Sequence, residues 1–185
     1  MKTLKVLFVI SIITGMVFTS CTDAKVTQRL DDIKTLQTKV DSSSTEFGTI
    51  DIETISKYSA KGNEQMSFLE KHYHDTTNFD NAKYIDVYYA NYKLMKKIVK
   101  GHKRLASEIT YTQSQLGNLY LDVKNGLVAD SVYTKYYSGE QKATAEIVKS
   151  VETLKEWETR SIKRYNGMVQ PVDSIITELQ KQGYR

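Results

Sequence analysis

Apolar residues recur along most of this chain at alternating spacings of three and four, the mark of helices that each bury one face. Val26, Leu30, Ile33 and Val40 form the first such face, which the polar cluster Asp41-Ser-Ser-Ser-Thr is expected to end. Ile52, Ile55, Ser59, Gly62, Met66, Leu69 and Tyr73 predict a second helix from about Ile50 to Tyr73, weakened in its middle by Ser59 and Gly62. The longest pattern is Ile85, Tyr88, Tyr92, Met95, Val99, His102, Ala106, Ile109, Gln113, Leu116, Tyr120 and Val123, with Ile98, Leu105 and Leu119 widening it. It predicts a helix over 79–124, about 70 Å long at 1.5 Å per residue. Thr77 with Asp80 looks like its capping box, and Asn125-Gly126 its stop. A fourth helix is expected from about Asp130, carried by Ala143, Ile147, Val151, Leu154, Ile162, Tyr165, Val169, Val172, Ile176 and Leu179. A shift of the stripe near Glu158 and a kink or break around Gly167 and Pro171 are expected within it.

The short link at Asn125–Ala129 makes the last two helices antiparallel, so residues whose numbers sum to about 253 should face each other. That register sets Tyr120 by Tyr133, Val99 by Leu154 and Tyr88 by Tyr165. The expected fold is all-α: an elongated antiparallel helical bundle or coiled-coil hairpin of about four helices, forming a single helical domain over 26–185. Strand-like alternation of comparable length and internal duplication are both missing from the sequence.

The start of the chain follows a different pattern. Lys2 and Lys5 precede a 13-residue run, Val6–Phe18, that is apolar apart from Ser11, Thr14 and Gly15. This is the pattern of a secretory signal, too short for the roughly 17–25 residues of a spanning helix. Phe18-Thr19-Ser20-Cys21 resembles a bacterial lipobox, with Phe18 where Leu is usual. The resemblance implies a signal peptide over 1–20, cleavage before Cys21, and diacylglycerol on its thiol with a further acyl chain on its new amine. Residues 21–25 would then be a short lipidated tether. Two or three acyl chains, palmitate-like in length, exceed the two-signal threshold for stable membrane residence. Thr22, rather than Asp, follows the cysteine, which by the enterobacterial sorting pattern implies the outer membrane. Generically the chain is similar to the small helical lipoproteins of Bacteroidota, on either the periplasmic or the surface face.

Composition narrows the chemistry. One cysteine excludes an internal disulfide and any multi-cysteine metal site, and one proline argues against a turn-rich β fold. Removal of residues 1–20 takes Lys2 and Lys5 and no acid, leaving 24 basic against 22 acidic residues. Nucleic acid is not an expected partner at that balance. No cofactor motif, phosphate loop, nucleophile elbow or zinc-protease helix occurs, and the chain is read as non-catalytic. His72 and His74 lie about 200° apart on a helix and are not read as metal ligands.

Two features remain as candidate surfaces. Lys93, Lys96, Lys97, Lys100, Lys103 and Arg104 form a basic run with no acid between Asp86 and Glu108. Such a run suits anionic lipid heads, lipopolysaccharide phosphates or a glycan polymer. In the expected register, however, Glu152, Glu156 and Glu158 would neutralise it across the hairpin. Thirteen tyrosines are the second feature. Tyr88 and Tyr92 lie on the seam and are assigned to the core, which leaves Tyr84 and Tyr89 as surface candidates. The candidate partner or ligand surface is therefore Tyr84, Tyr89, Lys93, Lys97, Lys100 and Arg104, with Cys21 the lipidation site. The expected role is a lipid-anchored interaction or structural module of the cell envelope with an envelope protein as partner. The alternative is a small-molecule or glycan receptor with a tyrosine-lined cleft between helices.

Overall fold

The computed structural model describes the backbone of residues 2–75 and 77–184 and the side chains of residues 24–75 and 77–184. It is an all-α helical bundle: α1 (Lys2–Phe47), α2 (Ile52–His72), α3 (Phe79–Lys124) and α4 (Asp130–Lys181), with no strand among the described residues. Contacts divide the chain into two compact units, Met1–Ser42 with Ile109–Glu146 and Ser43–Glu108 with Ile147–Arg185. Cys21 and the segment expected to be a signal peptide lie outside the residues whose side chains are described. No helix among the described residues is long and apolar enough to cross a membrane.

The helix ends follow local chemistry. α1 runs through the serine cluster that was expected to end it, because serine and threonine without glycine or proline do not stop a helix. The stop comes at Gly48, whose N–H donates to the Ser44 carbonyl at 3.0 Å. Asp51 caps α2 by accepting from the Thr54 N–H at 2.9 Å. Asn78, not Thr77, caps α3: its Oδ1 accepts from the Asn81 N–H at 3.1 Å. The Thr77 hydroxyl and N–H are instead turned back onto Asp75 Oδ1, at 2.7 and 2.8 Å. α3 ends in a Schellman turn at Gly126 (φ 69°), with Leu127 N–H donating to the Asp122 carbonyl at 2.9 Å. Of the kink or break expected around Gly167 and Pro171, the break does not occur: α4 is continuous through both.

The buried positions of α3 are Tyr88, Asn91, Met95, Ile98, Leu105, Ile109, Thr112, Leu116, Leu119 and Val123, with Tyr92 beside them. With half-buried His102, they form an uninterrupted alternation of three and four. Every second one (Tyr88, Met95, Ile109, Leu116, Val123) belongs to the expected stripe. Of the intervening ones, Ile98, Leu105 and Leu119 were expected to widen the stripe and are buried, and Tyr92 is buried as expected; Asn91 and Thr112 are buried without having been expected, Thr112 in place of Gln113. Val99 is only half-buried. α4 likewise keeps one register, Thr144, Ile147, Val151, Leu154, Glu158, Ser161, Tyr165, then Val172 and Ile175, so the expected shift near Glu158 does not occur.

In the second unit, Asn91, Glu158 and Ser161 hold such places because residues on other elements satisfy them, whereas Thr144 of the first unit is buried with its hydroxyl unpaired among the described residues. Ser161 Oγ donates to Asn91 Oδ1 at 2.9 Å, and Asn91 Nδ2 donates to the Ser161 carbonyl at 3.0 Å. Glu158 accepts the Asp51 N–H at 2.5 Å, placing a carboxylate at the positive N-terminal end of α2. Tyr88 donates to Gln65, whose amide donates to Asp173, which Lys61 Nζ meets at 2.9 Å. Burial, with the neighbouring Tyr165, pushes the Tyr88 phenol up, so it stays a donor. Gly62, read from sequence as a weak point, makes room for Tyr92: a Cβ there would lie 3.1 Å from the Tyr92 ring. The Tyr88–Tyr165 ring contact (6.0 Å) and the Asn91–Ser161 pair bear out the expected register of α3 against α4.

His102 stacks on Phe47 with ring centroids 4.2 Å apart, and burial pushes its pKa below the ordinary 6.5, with Glu158 opposing. The folded imidazole therefore holds its proton less tightly than the unfolded one. The unfolded chain takes up more protons as pH falls through 6.5 towards the depressed folded value, so stability should decline across that window. Urea midpoints measured on either side of it should show that decline in the parent and a smaller one in His102→Phe. Equal declines would assign the pH dependence to other groups.

Candidate functional site

The second unit brings part of the basic run into a groove between α3 and α4. Lys97, Lys100 and Arg104 of α3 line it with Lys149 of α4, and Ser150 and Thr153 add hydroxyls. Its floor is apolar: Gly101, Leu105 and Leu154, with Trp157. Gly101 lets the helices approach, since a Cβ there would lie 3.3 Å from Leu154 Cδ2. The cavity measures about 440 Å³, within the range of small-ligand sites.

The cations of this face are not neutralised across the hairpin. Among the described residues, no ion pair joins the run to Glu152, Glu156 or Glu158, which corrects the expectation of flanking salt bridges. Glu156 pairs along its own helix with Arg160 at 3.6 Å, and Glu158 is committed to the α2 N-terminus. Arg104 meets Glu108 on its own helix at 3.3 Å. The lysines instead lie over aromatic rings: Lys93 Nζ is 4.1 Å from the Tyr89 centroid, Lys96 Nζ 5.2 Å from Tyr92 and Lys97 Nζ 4.4 Å from Trp157. A ring attracts an ammonium group without cancelling its charge, so this face keeps its positive field.

The predicted surface is thus split. Lys97, Lys100 and Arg104 share the groove, whereas Lys93 and Tyr89 stack on each other outside its lining. Tyr84, 39% exposed, lines a second cleft of about 640 Å³ at the α2–α3 junction and the end of α4, together with Tyr73, His72, His74 and Tyr184. His72 is the last residue of α2 and packs against Phe68 and Tyr184, at 4.7 and 5.3 Å. Among the described residues, no group of three or more His, Cys, Asp or Glu side chains is placed to hold a metal ion.

Comparison with protein-family models, curated proteins and solved structures finds no match.

Lys149, Ser150 and Thr153 were not among the residues expected at a site. The register sum of about 253 already sets Lys149 opposite Arg104, so the hairpin arithmetic contained that signal. Tyr88, Tyr92, Tyr133 and Tyr165 are buried, which accounts for much of the tyrosine excess as core with paired hydroxyls. Tyr92, for example, donates to Asn63 Oδ1 at 2.6 Å.

Proposed function

We propose that this protein is a lipid-anchored, non-catalytic helical interaction module of the bacterial cell envelope. It would be held at the outer membrane through Cys21 and would engage an acidic envelope partner through the α3–α4 groove. The observation that carries the reading is the run of cations on α3 that α4 leaves without cross-hairpin carboxylates, gathered beside a half-buried indole. Arginine, lysine and tryptophan around an apolar floor combine electrostatic attraction with a desolvated anchor. The anchor is supported by the Phe18–Cys21 sequence.

Cys21→Ala should abolish fatty-acid labelling and either block processing or release the protein from membranes. A variant that keeps its label and stays with membranes after a high-salt wash would overturn the anchor. Lys97→Glu with Lys100→Glu should leave helical content and melting unchanged, yet remove crosslinked envelope partners recovered with the parent. Unchanged recovery would overturn the groove as the recognition face.

A second reading, a receptor for a small molecule or glycan, is favoured by the cleft at Tyr73, Tyr84 and Tyr184, where three tyrosines meet His72 and His74. Saturable tyrosine fluorescence changes with purified protein and oligosaccharide, lost in Tyr84→Ala, would favour it over the interaction module.

A further inference from the structure

The first unit ends in a tip, the α3–α4 turn, whose exposed side chains are unusually apolar. Leu127 is 72% exposed and Leu121 53%; Tyr136 and Val132 are exposed beside them in the same short stretch of chain. Lys124 and Lys135 supply cations there. Asp130, the acid at the start of α4, is held by two basic residues of α1. Lys25 pairs with one carboxylate oxygen, and Arg29 meets the other at 2.7 Å. The hydrogen bonds from Lys25, then Arg29, hold its pKa below the ordinary range, so it stays ionised and paired. Arg29 also lies over the Tyr133 ring at 4.4 Å, and its carbonyl accepts from the Tyr133 hydroxyl at 3.5 Å. The tip is thereby fastened to the first residues of the mature chain.

That fastening carries a consequence for the lipid. Lys25 follows Cys21 by four residues, which span at most about 14 Å even when fully extended. Lys25 touches Asp130, and Asp130 follows Leu127 by three residues. Acyl chains on Cys21 would therefore enter the bilayer close to the exposed leucines. Leucine and valine beside tyrosine and lysine is the set of side chains that suits the boundary between headgroups and acyl chains.

We propose that the α3–α4 tip is a second membrane contact, with Leu127 and Leu121 inserted into the bilayer interface beside the lipidated N-terminus. The occupant of this apolar surface is lipid, and the contact fixes how the first unit sits on the membrane. The inference rests on acylation of Cys21, and it is independent of the groove beside Trp157.

The test uses the full lipidated chain in vesicles of phosphatidylethanolamine and phosphatidylglycerol. Acylation occupies Cys21, so Leu127→Cys offers a single free thiol for a nitrobenzoxadiazole probe. Lys142→Cys, exposed on α4 of the same unit, is the reference. Emission at position 127 should shift to the blue and be quenched severalfold more than at 142 by lipids brominated along their chains. Leu121→Ser with Tyr136→Ser should reduce that quenching while leaving membrane fractionation unchanged. Equal spectra and equal quenching at 127 and 142 would overturn the proposal. So would shielding at 127 that disappears on diluting protein at constant lipid, which would assign the patch to a second copy. Fatty-acid labelling of the same samples separates the two readings: labelled protein with a water-exposed tip refutes only the tip contact, and unlabelled protein with a water-exposed tip refutes both.

Discussion

Ile98→Asp should unfold the second unit or shift its urea midpoint far downwards, because Ile98 is fully buried in the α3 seam. An unpaired charge in such a place costs about 3 kcal/mol or more, a large part of the 5–15 kcal/mol that holds a typical domain together. Lys103→Glu, five residues further along and exposed, should leave the midpoint nearly unchanged. The neighbouring Val99→Asp should be milder than Ile98→Asp, since Val99 is half-buried. Equal losses for Ile98→Asp and Lys103→Glu, measured by circular dichroism, would mean that this face is not the core.

Asn91→Asp should be the second most damaging change, although it alters one atom. Asn91 is fully buried, and its Nδ2 donates to the Ser161 carbonyl at 3.0 Å. A carboxylate oxygen in that position would face another acceptor, and the loss should be about 3 kcal/mol near neutral pH. The new carboxyl would hold its proton more tightly in the folded chain than in the unfolded one. Its penalty should therefore be smallest below the ordinary aspartate value of about 3.9 and grow as pH rises through that value towards the raised folded one. Asn91→Leu, which buries no charge, should be less damaging and should show no such pH dependence. A pH-independent loss for Asn91→Asp would refute a buried carboxyl.

The positions legible in the sequence are those where one residue type has a single local use. Asn125-Gly126 stops α3 because only glycine takes the left-handed turn without strain, and the 3,4 repeat of apolar residues gives α3 its length. The tight link then makes α3 and α4 antiparallel in the register that Asn91–Ser161 and Tyr88–Tyr165 display. The basic run was visible as well, but only some of its partners. Lys93 over Tyr89 and Lys96 over Tyr92 are pairs four residues apart on α3 that spacing could have shown, whereas Lys97 over Trp157 depends on a few ångströms of side-chain reach across two helices, which spacing along one helix does not encode.

The amino-acid sequence by itself determined four helices, the ends of α2 and α3 and the start of α4 to within a few residues, and the one-in-seven positions of the α3 seam, because these depend on local backbone preferences and on the period of the helix. Only the tertiary structure decided which flank of each stripe is the core. A polar residue can occupy a seam when another helix completes its hydrogen bonds, as Ser161 does for Asn91 and Asp51 for Glu158. Hydropathy scores such residues as surface, whereas burial is set by the pair, and the two members of each pair here lie 70 and 107 residues apart.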